Sequence, residues 1–144
     1  MITIKRIRTG TAEYEQMLGL RDRVLRVPIG LSLRNDDLSQ DERDFLLVAY
    51  RESEIIGCVI LHPIDKDVVR LRAMAVTPEY QRTGIGRLIV KEAERVAREE
   101  GFRQMLMHAR IVVSGFYEKL GYMRQGETFT EVGIPHVLMQ KLLN

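Results

Sequence analysis

Between Gly84 and Gly101, apolar residues recur at Ile85, Leu88, Ile89, Ala93, Val96 and Ala97, with Glu, Arg and Lys between them. That is the 3.6-residue period of a helix with one buried face, and Gly101 supplies its C-terminal stop. Ahead of it lies Val68–Val76, a β-branched run closed by Thr77-Pro78. Behind it lies Gln104–Ala109, where Met105 and Met107 alternate with Leu106 as strand residues do. Strand, long helix and strand in that order require a right-handed crossover, which sets the two strands parallel. Phe45–Tyr50 and Ile55–His62 are further strands, joined by the tight reversal at 51–54. Pro63 and Asp65-Lys66-Asp67 then turn the chain into Val68, so the three form an antiparallel meander. The chain reads as α+β, a mixed and mostly antiparallel sheet flanked by helices.

The remaining segments are shorter. Ile2–Arg8 reads as a first strand, and Thr11 caps a helix running to about Arg26 with a break at Pro28. Ser39 or Asp41 begins a helical turn, and Val112–Leu120 is a second helix stopped by Gly121. Tyr122–Arg124, Glu127–Glu131 and His136–Lys141 are closing strands, with turns at Gly126 and Gly133-Ile134-Pro135. At 144 residues and 16.7 kDa this is one domain, residues 1–144, large enough to bury a core. A content of 45% hydrophobic and 29% charged residues excludes a disordered chain. No apolar run approaches the ~20 residues of a membrane helix. Lys5, Arg6 and Arg8 lead into Thr, Gly and Glu rather than an apolar stretch, so no secretory leader is expected. The single cysteine, Cys58, excludes a disulfide framework and a multi-cysteine zinc site. Together these point to a cytoplasmic protein with no bound metal and no membrane contact. A net charge of +2 is too small to indicate nucleic acid.

The loop before the long helix carries the chemistry. In Val76-Thr77-Pro78-Glu79-Tyr80-Gln81-Arg82-Thr83-Gly84-Ile85-Gly86-Arg87, a basic, glycine-containing turn opens directly into the helix. Helix N-terminal amides lack intrahelical partners and sit at the positive end of the dipole, so the turn forms an anion site suited to phosphate. The segment lacks the third glycine of a dinucleotide fingerprint, and no Gly-Lys-Ser/Thr follows as in a P-loop.

A second block, Phe116-Tyr117-Glu118-Lys119-Leu120-Gly121-Tyr122, follows the next strand. With Gln81-Arg82-Thr83-Gly84-Ile85-Gly86 before it, the chain resembles the GCN5-related N-acetyltransferases (GNAT). Their Gln/Arg-x-x-Gly-x-Gly/Ala loop binds the coenzyme A pyrophosphate and is followed by Phe-Tyr-x-x-x-Gly-Phe/Tyr. The resemblance covers about residues 44–142. The closing segment from Gly126 to Met139 is similar to one bacterial branch of small members, as is Leu20-Arg21…Val24-Leu25-Arg26 more loosely.

The resemblance implies acetyl-CoA as cosubstrate and a central, splayed parallel strand pair into which it wedges. Gln81, Arg82, Thr83, Gly84, Ile85, Gly86 and Arg87 would cradle the pyrophosphate. Met74, Ala75 and Val76 would meet the pantetheine arm, with Ser114 and Tyr117 on the coenzyme's other side. Tyr117 would then donate a hydrogen bond to the departing thiolate. Full proton transfer from a tyrosine of pKa about 10 to a thiolate of pKa about 8.5 is uphill by roughly 2 kcal/mol.

The acceptor is expected to be a primary amine of a small molecule or peptide. Many family members carry a glutamate on the strand before the loop to take the amine's proton. Here Val68–Val76 contains no carboxylate. Candidates elsewhere are His108, Glu127, Glu131 and His136, with His108 preferred for its ordinary pKa of about 6.5. Arg110 stands where the family often has asparagine. Arg70 and Arg72 share one strand face, reading as an Arg–Glu lattice or as a seat for a carboxylate-bearing acceptor. His62 reads as a turn residue and Cys58 as a buried hydrophobe. A non-catalytic acyl-CoA-binding sensor is the alternative, and a homodimer stays open.

Overall fold

The computed structural model describes all 144 residues. The chain runs β1 (Ile2–Ile7), α1 (Ala12–Arg21), β2 (Phe45–Arg51), β3 (Glu54–Pro63), β4 (Val68–Val76), α2 (Ile85–Glu99), β5 (Gln104–Arg110), α3 (Ser114–Lys119), β6 (Met123–Glu131) and β7 (Ile134–Leu142). Seven strands form one sheet in the order β1-β2-β3-β4-β5-β7-β6, and β4 with β5 is its parallel pair. The expected meander and crossover are both present. No helix is long and apolar enough to cross a membrane.

Alternation along the strands divides the apolar residues between two cores. On one face α2 buries Ile85, Ile89, Val90, Ala93, Val96 and Ala97 against Val59, Leu61, Val69, Leu71, Met105 and Met107. Each Val, Leu, Ile or Met among them contributes about 1.5–3 kcal/mol by burial. Leu88, although in phase, lies at the flank and is half exposed. On the other face α1 buries Tyr14, Met17 and Leu20 against Leu46, Val48, Cys58 and Ile60.

The N-terminal third departs most from expectation. Thr11 does cap α1, its hydroxyl accepting from the Tyr14 amide at 3.2 Å. The α-helix stops at Arg21, however, and the chain widens into a π turn over Asp22–Arg26 before a 3₁₀ turn containing Pro28. The expected second helix is likewise shorter, a 3₁₀ turn over Ile111–Val113 followed by α3. The two strands expected around Gly126 are one strand, β6. Its register against β7 shifts between Gln125 and Phe129, so Gly126 at φ +73° sits in an irregularity rather than a turn.

A buried ionic network seals the α1 face. The Asp41 carboxylate accepts from Tyr14 Oη at 2.6 Å, Arg21 Nη1 at 2.8 Å and Arg72 Nη2 at 2.8 Å. Arg72 also donates to Asp44 at 2.7 Å, and Asp44 lies 2.8 Å from His62 Nδ1. His62 is therefore a strand residue in an ion network, and Arg72 pairs with two aspartates rather than with a glutamate lattice. Burial pushes the Asp41 carboxyl up, but its hydrogen bonds from Tyr14, Arg21 and Arg72 outweigh this and hold it below its ordinary value. A depressed carboxylate pKa adds stability above the unfolded-state value of about 3.9 and loses it on further acidification. Asp41→Asn is expected to destabilise the domain by about 3–5 kcal/mol at neutral pH. Urea unfolding should also show a shallower acid loss of stability below about pH 4 in the variant than in the parent.

Candidate active site

Hydrogen bonding between β4 and β5 is brief. Register pairs are Val68–Gln104, Val69–Met105 and Arg70–Leu106, after which β4 continues to Val76 and β5 to Arg110 without pairing. Immediately downstream in β4, Ala73 adopts φ +52° and the register against β3 shifts between Cys58 and Ile60. Two β4 residues oppose one on β3, the geometry of a bulge that bends a strand away from its neighbour. The Cys58 thiol donates to the Ala73 carbonyl at 3.5 Å, and burial pushes that thiol up to about 12, far from a reactive thiolate. Alanine is no signal for a left-handed residue, so nothing in the sequence marked Ala73. Beyond Arg70 the β5-facing edge of β4 carries backbone groups without a strand partner, a slot shaped for an extended chain.

The basic loop closes one end of this slot. Gly84, at φ +92°, caps α2, and Arg82 is also left-handed at φ +65°. The Gln81 side-chain amide donates to the Val76 carbonyl at 2.9 Å, and the Thr83 hydroxyl donates to the Tyr80 carbonyl. These bonds pin the loop to the end of β4. No backbone carbonyl accepts from the amides of Arg82, Thr83 or Gly84, while the first helical bond runs from Leu88 to Gly84 at 3.1 Å. Free amides from Arg82 into the first turn of α2 thus form a concave nest for an anion. The Arg82 and Arg87 side chains are exposed beside it. Ile85 is buried and anchors the turn. A Cβ on Gly86 would stand 3.3 Å from Phe116 and 3.5 Å from Met74, so this glycine lets α3 and β4 close on the helix start.

Tyr117 lies on the α2 face, in the core that also holds Met107 and Ala109 of β5. Its ring packs edge-on against Phe116 at 5.0 Å and Tyr122 at 5.9 Å. Its hydroxyl has no hydrogen-bond partner and is not among the fully enclosed unpaired polar atoms, so it retains an opening to solvent. Burial raises its pKa above the ordinary tyrosine value. Ser114 is buried, its hydroxyl donating to the Ile111 carbonyl at 2.8 Å and accepting from Arg124. The Gln81 side-chain amide and Ser114 hydroxyl thus already serve the protein's own backbone.

His108 points to the opposite face. β5 alternates, with Met105, Met107 and Ala109 buried toward α2 and Leu106, His108 and Arg110 on the α1 side. His108 Nδ1 lies 2.8 Å from Glu131 Oε1. The second Glu131 oxygen lies 3.7 Å from His136 Nε2 and 3.9 Å from Arg70. Phe129 fills the space between the two imidazoles, edge-on to His108 at 5.2 Å and stacked on His136 at 6.0 Å. Burial pushes the Glu131 carboxyl up, but its hydrogen bond and charge interaction with His108, then Arg70 and His136, leave it below the usual range. An ionised carboxylate only accepts, so His108 Nδ1 carries the hydrogen of this bond. His136 Nδ1 is occupied by the Ile134 carbonyl at 2.8 Å.

A sheet split at one parallel pair, an anion nest at the start of the following helix and polar groups on either face define a coenzyme-A-type acyltransferase. A profile of the acetyltransferase (GNAT) domain matches residues 32–143. Bacillus subtilis YyaT is 31% identical over 144 residues, covering 97% of this chain and 95% of that protein. A second Bacillus subtilis relative, named as an acetyltransferase, is 34% identical over 95 residues, covering 66% of this chain and 64% of that relative. Among solved structures, a Lactobacillus plantarum protein assigned to the N-acetyltransferases superposes with a TM-score of 0.89 at 26% identity, covering 99% of both chains. A GNAT family acetyltransferase from Elizabethkingia anophelis with acetyl-CoA bound shares the fold, with a TM-score of 0.73 at 24% identity over 99% of this chain and 98% of that one. The chain belongs to the GNAT acetyltransferase family.

The nest depends on Gly84 for its backbone conformation rather than for space, since a Cβ there meets nothing within 4 Å. Gly84→Ala is expected to cost about 1–2 kcal/mol in thermal unfolding through its positive φ. Gly115→Ala, equally unobstructed but within α3, is expected to be neutral or stabilising by up to about 1 kcal/mol.

Proposed function

We propose that the chain transfers the acetyl group of acetyl-CoA directly to a primary amine of a small molecule or peptide. The observation that carries this reading is the unpaired edge of β4 running into the free amides of Arg82–Gly84. Together they offer hydrogen-bond donors for a pyrophosphate and an extended track for a pantetheine arm. When bound, acetyl-CoA supplies the thioester as acyl donor.

The chain's own residues then have distinct tasks. The nest amides, with Gln81, Arg82, Thr83, Gly84, Ile85, Gly86 and Arg87, hold the pyrophosphate, and the Met74–Val76 backbone aligns the thioester arm. A backbone amide of that stretch meets the charge developing on the carbonyl oxygen. His108 Nε2 takes one proton from the acceptor ammonium and so frees the amine lone pair for attack, while Glu131 holds Nδ1–H and stabilises the imidazolium. The C–N bond forms as the C–S bond breaks, the second nitrogen proton passes to solvent, and the Tyr117 hydroxyl donates a hydrogen bond to the thiolate. Its raised pKa makes Tyr117 a persistent donor rather than a source of a fully transferred proton. Holding both reactants in one gap supplies much of the acceleration.

Mass-detected acetyl transfer across polyamines, amino sugars, amino acids and peptides, with acetyl-CoA binding followed in parallel, tests the proposal. Tight binding without transfer to any amine favours the acyl-CoA sensor, and absence of binding removes both readings. Tyr117→Phe should lower kcat about a hundredfold with little change in acetyl-CoA affinity. An unchanged kcat would reduce Tyr117 to packing. His108→Ala and Glu131→Gln should each lower kcat/KM at neutral pH. Their combined loss should fall short of the sum in free energy, as coupled neighbours do.

A further inference from the structure

We propose that the acceptor amine carries a carboxylate group, received by Arg110 and Arg70 on the α1 side of the strand gap. This rests on the acetyl-transfer reading and names its substrate class. Five arginines stand on or against this face, and three are matched to carboxylates. Arg21 donates to Asp41 at 2.8 Å, Arg72 to Asp41 and Asp44, and Arg26 to Asp36 at 2.9 Å. The other two are not. Arg110 has no carboxylate within salt-bridge distance, and its one hydrogen bond goes to the Leu25 carbonyl at 3.2 Å. Arg70 reaches only Glu131, at 3.9 Å, a carboxylate already bonded to His108.

Both guanidiniums are partly withdrawn from water, which pushes their pKa values down, and each faces a second arginine that adds to the effect. A half-buried cation without an anion is costly; the chain supplies none to Arg110, and to Arg70 only the distant Glu131 that His108 already engages. A carboxylate fits the planar fork of Arg110 through two parallel hydrogen bonds. A single negative charge is also the tolerable one, because Glu131 stands beside Arg70.

Position along β5 connects this anion to the chemistry. His108 and Arg110 are same-face neighbours about 6.6 Å apart, and Arg70 is in register with Leu106, the preceding residue on that face. The two cations therefore bracket His108. A carboxylate held on Arg110 brings the amine of an amino acid over the imidazole and beside the gap.

Initial rates with the full chain on matched acceptors test this: amino acids, their carboxamides, the decarboxylated amines and aminoalkylphosphonates. The carboxylate is expected to raise kcat/KM at least about tenfold over its uncharged counterparts. Arg110→Gln should erase most of that preference through acceptor KM, leaving the KM for acetyl-CoA unchanged, and Arg110→Lys should restore part of it. Equal use of amines with and without carboxylate, preference for the phosphonate, or an equal slowing of all acceptors by Arg110→Gln would overturn the proposal. The last result would mean that Arg110 serves only to hold the Leu25 carbonyl. If no amine is acetylated, the transfer reading fails separately, and calorimetric titration with N-acetyl amino acids and their amides decides the seat itself. Carboxylate-dependent binding that is lost in Arg110→Gln supports it, and no difference between acid and amide removes it.

Discussion

Two adjacent parallel strands normally pair along their whole length, because every unpaired backbone group in a sheet interior forfeits a hydrogen bond. Here β4 and β5 part after Arg70 and Leu106, and both the proposed coenzyme slot and the proposed acceptor face follow from that separation. The bulge at Ala73 bends β4, and the surrounding residues hold the bend. Arg72, one residue earlier, is drawn to the α1 side by Asp41 and Asp44, and the Cys58 thiol takes the Ala73 carbonyl. Gly57 makes room beneath: a Cβ there would lie 2.5 Å from Ile89 Cδ1 and 3.3 Å from the Ala75 carbonyl. A side chain at 57 would force the buried Ile89 side chain to move and would crowd the Ala75 carbonyl.

Buried carboxylates anchor both faces of the sheet, Asp41 with Asp44 on the α1 face and Glu94 on the other, and they hold opposite sides of the gap. Asp41 ties α1 and the segment before β2 to Arg72 of β4. On the other face Glu94 of α2 accepts from Tyr122 Oη at 2.9 Å and from Lys141 of β7 at 3.0 Å, and Lys141 also donates to the Leu120 carbonyl at 2.7 Å. Burial of these charges is expensive, and their full sets of partners offset it. With α2 fastened to the closing strands and β4 fastened to the N-terminal third, neither strand is free to slide and restore the missing pairs. Backbone donors left over by the fold remain available to a ligand.

Most of the elements around the loop before α2 were legible in the sequence, and the polar contacts on the α1 face were not. The helix period fixed α2, the proline and glycines fixed the loop, and the Phe116-Tyr117 block placed α3, because each is a local signal. Gly126 misled for a physical reason: a left-handed glycine serves a turn and a strand irregularity equally well. The π turn at Asp22–Arg26 leaves no composition mark. Asp41, in a segment reading only as a helical turn, gave no sign that it would be buried among Tyr14, Arg21 and Arg72. Glu131 was a candidate base by type, but its contact with His108, 23 residues away, arises only once β7 inserts between β5 and β6.

The opposite facing of His108 and Tyr117 gives the separation its chemical sense. In a continuous sheet, side chains on the two faces of one strand are screened from each other by the backbone of its neighbours. Along an open edge, a single reacting carbon can be reached from both. The environments then drive the two groups in different directions. Burial without a partner raises the Tyr117 pKa and keeps its hydroxyl a donor, while Glu131, surrounded by His108, Arg70 and His136, is held below the ordinary carboxylate range and accepts from His108 Nδ1. Under the proposed transfer, the tyrosine donor would stand on the leaving-group face and the imidazole on the amine face. A carboxylate on β4 beside Arg72 would add negative charge next to the network at Asp41 and Asp44, and β4 carries none.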